Sequence, residues 1–534
     1  MPGEEPHLLQ TEKGPTLQWR GLSLYPPGDP IEYARRKARV FSPAPRSLVY
    51  VPSLGLGYGL SELLERLPGD CAILCIEAFQ EIMAMALKGE LPHDPRLLIV
   101  RTTDPAAAAA ALKSLGGGRF RRVVELPLCA GYRLAPEVYA DLRRALDSEI
   151  SRYWHNRLTL IAMGSLQIRN LFSNVPLLAD AADFASLSSP LPAVVCGAGP
   201  SLEQSLPLLR ELRGRFVLIA ADTALPTLMS AGCAPDVVVA LEAQTANLQD
   251  FLSGWGAETC LACDISSHPM PPRLFSGRLF FFSSKFAALS IFDRMDKRGL
   301  LPLQFPALGS VGVAAVHAAL RLTRGPVLLT GLDFSFPGLR THTRGSPAHI
   351  AMLRAAGRCR PVGLDAYQGL AARSLVTMPD KHGNNVKTDR VLASYRDALK
   401  GEVEGEATRV ADIGVEGLAL GIRLQSPAET RRILLGAPLS SRRLVRADVT
   451  GHSLADVRAF LDEERELLVS AGEATRQLSI APLELRALLR AVEHAWVHFP
   501  DEPDLDAPDA SFLARVRVAS AYYAERIERI ESVL

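Results

Sequence analysis

Ala193-Val-Val-Cys-Gly-Ala-Gly-Pro-Ser-Leu202 reads as a strand, a tight turn and the start of a helix. The apolar run ends in Gly197, Gly199, Pro200 and Ser201, and a helical pattern takes over at about Glu203. Proline near a helix start and serine at the N-cap suit such a boundary. Backbone N–H groups and the positive end of the helix macrodipole make the turn an anion site. A second stretch, Val327-Leu-Leu-Thr-Gly-Leu-Asp-Phe334, reads as another buried strand, with Asp333 delivered at its C-terminal end. The loop Thr341-His-Thr-Arg-Gly-Ser346 follows it. Ligands of open α/β sheets sit beyond the C-terminal ends of the strands, so the two stretches predict one edge of a parallel sheet that collects polar groups.

Between them the pattern repeats. Phe216-Val-Leu-Ile-Ala-Ala221 ends at Asp222 and Thr223, and Ala234-Pro-Asp-Val-Val-Val-Ala-Leu-Glu242 ends at Glu242. Gly309-Ser-Val-Gly312 precedes an Ala-rich helix that runs to Arg321. One strand ending in Asp is commonplace and usually serves as a cap or turn. Ser201, Asp222 with Thr223, Glu242 and Asp333 taken in order favour a binding cleft. The turn lacks the third glycine of a dinucleotide fingerprint, and no phosphate-loop GxxxxGK[ST] pattern occurs anywhere in the chain.

Residues 47–127 alternate strand-like and helix-like segments: Ser47–Pro52, a helix over 60–66, Ala72–Glu77, a helix over 78–87, then strands near 97–100 and 123–126. That series predicts a parallel sheet with helices on both faces. Gly55, Gly57 and Gly59 follow its first strand, and Glu77 ends the next one. This layout recurs where the ribose of a dinucleotide or of S-adenosylmethionine is held. The same glycines also permit a tight turn in a ligand-free Rossmann-like domain, and the lack of a nearby reaction partner favours that reading. Residues 136–182 read as helical, a connector, and the segments 453–472, 482–498 and 509–533 read as a small C-terminal bundle.

The fold class expected is therefore α/β, with two Rossmann-like doubly wound sheets followed by a helical bundle. The divisions fall at 1–135, 136–189, 190–425 and 426–534. At 534 residues the chain has room for them, and its 48% hydrophobic, 22% charged composition is that of an ordinary globular protein. The balance of 59 basic against 58 acidic residues argues against a nucleic-acid partner held by bulk charge. The eight cysteines are dispersed, several within apparent core strands, as suits a reducing cytoplasm. Cys260 and Cys263 form a lone CxxC that reads as packed thiols, and no metal is expected. The N-terminus lacks a signal-peptide pattern and no apolar run is long enough to span a bilayer. A cytoplasmic location is expected, with docking onto a membrane-bound machine still open.

The motifs together resemble a known domain. Gly197–Leu202, Ala221-Asp-Thr-Ala-Leu225, Ala234-Pro-Asp236, Gly309-Ser-Val311 and Gly331-Leu-Asp-Phe-Ser335 are similar to the domain shared by two groups. These are the motility-associated-factor (Maf) flagellin glycosyltransferases and the MptE-like 6-hydroxymethylpterin diphosphokinases. The whole-chain layout resembles the Maf group. That resemblance implies transfer of a nonulosonic, sialic-acid-like sugar from a CMP donor to Ser or Thr of flagellin or another protein acceptor, with no cofactor. It implies that Gly197, Gly199, Pro200 and Ser201 cradle the CMP phosphate and ribose. Asp222, Thr223, Ser310 and Gly331 would line the same pocket. Glu242 stands where the family usually has Asp, and Leu332 where many relatives carry Gln.

CMP transfer needs a base for the acceptor hydroxyl and positive groups for a single leaving phosphate, so a metal clamp is less necessary. His342, as the base, and Asp333 are the expected catalytic residues, and Arg340 and Arg344 are expected to meet a sugar carboxylate or phosphate. His342 can equally be read as an exposed loop histidine. His349 and His382 are weaker candidates for the base, and Lys381 or Asn384 could close over the donor. The lone DxD, Asp504-Leu-Asp506, reads as a solvated loop. Two alternatives stand beside this reading: ATP-dependent pyrophosphate transfer to a pterin, and a non-catalytic nucleotide-binding scaffold.

Overall fold

Strands buried along their whole length, such as Ser47–Pro52, Ala72–Glu77 and Val217–Ala221, signal sheets covered on both faces. The computed structural model describes residues 5–275, 278–440, 443–447, 452–476, 482–501 and 503–534. It divides into two units, Met1–Thr159 and Leu160–Leu534.

The first unit holds four parallel strands in the order Leu97–Arg101, Ala72–Glu77, Ser47–Pro52, Arg122–Glu125. Period-2 alternation splits its core. Val49, Val51, Ile73 and Cys75 pack with Leu60, Leu63 and Leu64 of the helix Leu60–Arg66. Leu48, Tyr50, Leu74 and Ile76 pack with Ala108 and Leu112 of the helix Pro105–Ser114 and with Tyr139, Leu142 and Leu146. The Ala-rich run is thus a helix, started by Asp104, whose carboxylate accepts from Ala106 N and Ala107 N, and by Pro105 behind it. A three-stranded antiparallel meander, His7–Thr11, Gly14–Trp19 and Leu22–Ser23, precedes the sheet. Its strands are too short to show a clear period in the sequence.

In the second unit the described residues form a parallel sheet of nine strands, beside two short antiparallel pairs. From Ala193–Cys196 the chain steps outward through Val217–Ala221, Val237–Ala240, Cys260–Asp264 and Leu279–Phe282. It then returns to lay Val327–Thr330 on the other side of Ala193–Cys196, followed by Val410–Asp412 and Arg423–Leu424. Ala182–Asp183 closes the far edge. Cys196 pairs with Thr330, so Gly197 and Gly331 leave the sheet side by side. This is where the strand order reverses, and in such sheets a crevice opens there.

One face is covered by the helix Val311–Leu322, buried over nearly all of its length, because Ala314, Ala315, Ala318 and Ala319 let it lie close to the sheet. The other face is shared. Leu202 and Leu209 of the helix Leu202–Glu211 cover Val194, Cys196 and Leu218. Ile168, Leu171 and Phe172 join Val457, Phe460 and Leu461 of the helix Leu454–Ala474, and Tyr523 and Ile527 of the helix Ala510–Glu531, over Val238, Leu261 and Phe281. The expected division at 136–189 and 426–534 differs from this arrangement. The end of the long helix Pro136–Asn174 and the C-terminal helices belong to the central sheet's own core, because their apolar faces have that sheet to cover. No described helix is long and apolar enough to cross a membrane.

Candidate functional site

A cleft of ≈ 260 Å³ opens at the strand-order reversal, lined by the Gly197–Gly199 turn, Thr223, Glu242, the Gly309–Gly312 segment, Gly331–Ser335, Thr341 and His342. Eight of the residues expected in the site meet here: Gly197, Gly199, Thr223, Glu242, Ser310, Gly331, Asp333 and His342. Helix Arg390–Val403 adds Leu392 and Tyr395. Nothing in their spacing singles them out, since a tyrosine on the apolar side of an amphipathic helix reads as core.

The anion site at helix Leu202–Glu211 is filled from within. Asp333 accepts from Ser201 N at 2.9 Å through Oδ2 and from Ser201 Oγ through Oδ1. Ser201 Oγ in turn accepts from Gly331 N at 3.1 Å. Ser201 and Asp333 are buried, and the Gly199 N–H is bonded to Gly331 O at 2.8 Å. The negative charge at this helix N-terminus is therefore the chain's own carboxylate. The cradle expected of Pro200 and Ser201 is corrected accordingly: neither lines the cleft. Burial pushes the Asp333 carboxyl up to about 6, with the Ser201 donors and Lys381 opposing it. Asp333 is thus a positioning residue that locks two strand ends together.

The N-terminus that faces the cleft is that of helix Val311–Leu322. Ser310 stands at its N-cap in extended conformation and makes no side-chain bond to the helix, while Gly309, Ser310, Val311 and Gly312 all line the cleft. Its first-turn N–H groups and macrodipole suit a single phosphate. His342 lines the same cleft. The Thr343 N–H bonds Ala198 O at 2.8 Å, Arg344 N bonds Glu203 Oε1 at 2.9 Å and Thr227 Oγ1 bonds Arg344 O at 2.9 Å. Those tethers hold the His342 loop to the glycine turn and two helices. Burial, aided by the Arg373 guanidinium, lowers the His342 pKa below its ordinary value, so the imidazole is neutral at physiological pH. Its Nδ1 is buried with no hydrogen-bond partner among the described residues.

The expected roles of Arg340 and Arg344 are also corrected. Arg340 pairs with Glu203 at 2.8 Å and lies near Glu416 at 3.5 Å, while Arg344 is largely exposed beside Glu203. Among the described residues no Lys or Arg lines the cleft. Lys381 is buried against Asp412 at 2.6 Å and does not line the cleft. His382 bonds Val415 O at 2.9 Å and His349 accepts from Gly345 N at 3.2 Å, so both are local structural contacts. The Asn384 N–H bonds Asp380 in the turn between the antiparallel strands Leu375–Pro379 and Asn385–Asp389.

The other motifs resolve simply. Cys260 and Cys263 sit an odd number of residues apart on one strand, and they enter separate cores on its two faces. Asp506 pairs with Arg486 on the surface, and its N–H bonds Asp504. In the first unit, Glu77 is fully buried and accepts from Ser53 Oγ and Leu54 N at 2.8 Å, Phe79 N at 3.1 Å and the Tyr139 hydroxyl at 2.8 Å. The space beside Gly55 is taken by the Tyr25 hydroxyl and that beside Gly57 by Leu91. No ribose-binding carboxylate is left there, and the turn has its purely structural role.

Asp222 does not line the cleft but lies just behind Glu242, which does. Its Oδ1 accepts from Thr223 N at 2.7 Å, while its Oδ2 is buried with no partner among the described residues. Burial, then the nearby Asp250 and Glu242 carboxyls, pushes Asp222 up to about 8. The unfolded chain releases this proton near pH 4, so between pH 4 and 8 the native state binds more protons and stability falls as pH rises. Asp222→Asn, which cannot ionise, should raise the thermal midpoint at pH 8 and leave it little changed at pH 5. Equal shifts at both pH values in thermal unfolding would show that the cluster carries no strained charge.

The geometry defines a doubly wound parallel α/β protein with its cleft at the strand-order reversal. Residues 167–338 match the family model described as 6-hydroxymethylpterin diphosphokinase MptE-like. The chain is 26% identical to an uncharacterised protein of Treponema pallidum (strain Nichols), over 100% of this chain and 97% of the relative. It is similar to the solved structure of the MAf glycosyltransferase from Magnetospirillum magneticum AMB-1, with a TM-score of 0.55 and 17% identity. That likeness covers 98% of this chain and 87% of the other. The family model agrees with the MptE-like domain read from the motifs, and the solved structure shares the fold along nearly the whole chain.

Proposed function

We propose that the cleft of the second unit is the active site of a glycosyltransferase. It moves a nonulosonic sugar from a CMP donor to a Ser or Thr hydroxyl of a protein acceptor, flagellin being the first to test, in the cytoplasm. The observation that carries this reading is the presence, in one cleft, of a neutral His342 and the uncapped N-terminus of helix Val311–Leu322. The fold shared with a protein named a glycosyltransferase supports it. In the reaction the acceptor oxygen attacks the anomeric carbon and forms the new C–O bond. The bond from that carbon to the phosphate oxygen breaks, and its electron pair leaves with CMP. His342 takes the acceptor's proton, and the charge growing on the phosphate faces the helix N-terminus and the Ser310 hydroxyl. Glu242, Thr223 and Tyr395 supply oxygen atoms for the hydroxyls of ribose or sugar.

A second reading, pyrophosphate transfer from ATP to a pterin, takes its support from the family model over 167–338. A triphosphate brings far more charge than one helix N-terminus balances, and the lining holds no Lys or Arg among the described residues. Calorimetry with CMP, ATP with Mg²⁺, and S-adenosylmethionine separates the readings. CMP should bind, and Ser310→Asp should weaken it by at least about tenfold. Aspartate keeps the N-cap, so the thermal midpoint should hold while a carboxylate enters the phosphate position. ATP binding without CMP binding favours the second reading, and binding of neither nucleotide sinks both.

A further inference from the structure

The helix that presents Ser310 to the cleft carries its other end into a second cavity, of ≈ 430 Å³. At 1.5 Å per residue, Arg321 lies roughly 16 Å along the helix from Ser310, and the two cavities share no lining residue. Three features of this cavity play no part in the proposed transfer.

Its lining holds an acid–base pair, a buried His317 against a partly buried Glu402. His317 is 8% exposed, and its Nδ1 lies 2.6 Å from Glu402 Oε1. The Nε2 of His317 and the Oε2 of Glu402 have no hydrogen-bond partner among the described residues. Burying such a pair costs free energy unless its remaining valences are met, and the open Glu402 oxygen is an acceptor for a hydroxyl. Beside it stand two guanidinium groups. Glu406 is paired with Arg409 at 2.6 Å, and neither Arg321 nor Arg324 has an ion-pair or hydrogen-bond partner among the described residues. Arg321 and Arg324 both line the cavity, Arg324 also lying near the Glu406 carboxylate, and two guanidinium groups free of direct pairing suit a phosphate or a carboxylate. Phe184, Leu187 and Leu303 supply apolar lining.

We propose that this cavity is a second ligand site, for a small hydroxylated organic anion. Arg321 and Arg324 take the anionic group, Glu402 accepts from a hydroxyl, and the carbon skeleton lies against Phe184 and Leu187. The proposal rests on this cavity alone and stands whether or not the cleft transfers sugar.

Calorimetry on the full chain tests it with glucose 6-phosphate, gluconate and inorganic phosphate. At least one of the two polyol anions should bind, and more tightly than inorganic phosphate, which lacks the hydroxyls. Whichever of them binds more tightly identifies the anionic group as phosphate or carboxylate. The double variant Arg321→Ala with Arg324→Ala should weaken that binding by at least about tenfold, without loss of fold, since both side chains are at the surface. Glu402→Gln should weaken it less, and Ser310→Asp should leave it intact. The proposal is overturned if neither polyol anion binds at millimolar concentration, or if the double variant binds like the wild type. Loss of binding on Ser310→Asp would place the ligand in the cleft and overturn it as well.

Discussion

Gly331→Ala is expected to destabilise the second unit by about 3–5 kcal/mol, beyond what its backbone angle alone explains. Gly331 has φ +69°, and a Cβ built on it would overlap Gly197 O; one built on Gly197 would overlap Gly331 O and lie 2.7 Å from Leu332 Cδ2. The atoms nearest to a Gly331 Cβ are the backbone O and C of Gly197, just past the end of the paired strand, and they cannot swing aside as a flexible side chain can. Gly232 supplies the control. It has the same φ, +69°, with nothing near its absent Cβ, so Gly232→Ala should cost only about 1–2 kcal/mol, the left-handed penalty. Denaturant unfolding of both variants isolates the overlap as the difference. Equal losses would mean that the two strand ends can separate, and that the Ser201–Asp333 lock on top of them is dispensable.

The lock also marks the limit of what the sequence showed. Strand ends were legible because continuous apolar runs bounded by glycine or Asp have few other readings: Ser47–Pro52, Ala72–Glu77 and Ala193–Cys196 lie where the pattern put them. The gathering of Gly197, Thr223, Glu242 and Asp333 followed from the parallel-sheet rule alone. Which group would satisfy which was not legible. Ser201 reads locally as a helix cap with a hydroxyl to spare for phosphate, yet Asp333, 132 residues later in the chain, takes that hydroxyl and the N–H beside it. Arg340 and Arg344 read as anion binders for the same local reason, and Glu203 claims them across more than 130 residues of chain. Tyr395 was invisible because nothing in an amphipathic helix distinguishes a cleft-facing tyrosine from a packed one. Long-range pairing decides these matters, and composition and spacing carry no record of it.

His342→Ala should lower the transfer rate by about 10²–10⁴-fold, the usual worth of a general base, while CMP affinity stays within about twofold of the wild type. The split follows from geometry: the helix N-terminus and Ser310 hold the nucleotide without the imidazole. The pH profile gives an independent reading. Burial lowers the His342 pKa, so the neutral, proton-accepting form persists below the ordinary imidazole value of about 6.5. The wild-type rate should therefore hold level as pH drops past that value and fall only at a more acid pH, as the imidazole is protonated. Asp333, pushed up to about 6, titrates close by, and Asp333→Asn separates the two groups. It should lower stability by loosening the Ser201 lock yet keep the acid limb of the rate profile, which His342→Ala removes from the residual rate. If His342→Ala leaves transfer intact, or if the acid limb follows Asp333 instead, the imidazole is not the base and the proton leaves by another oxygen of the cleft.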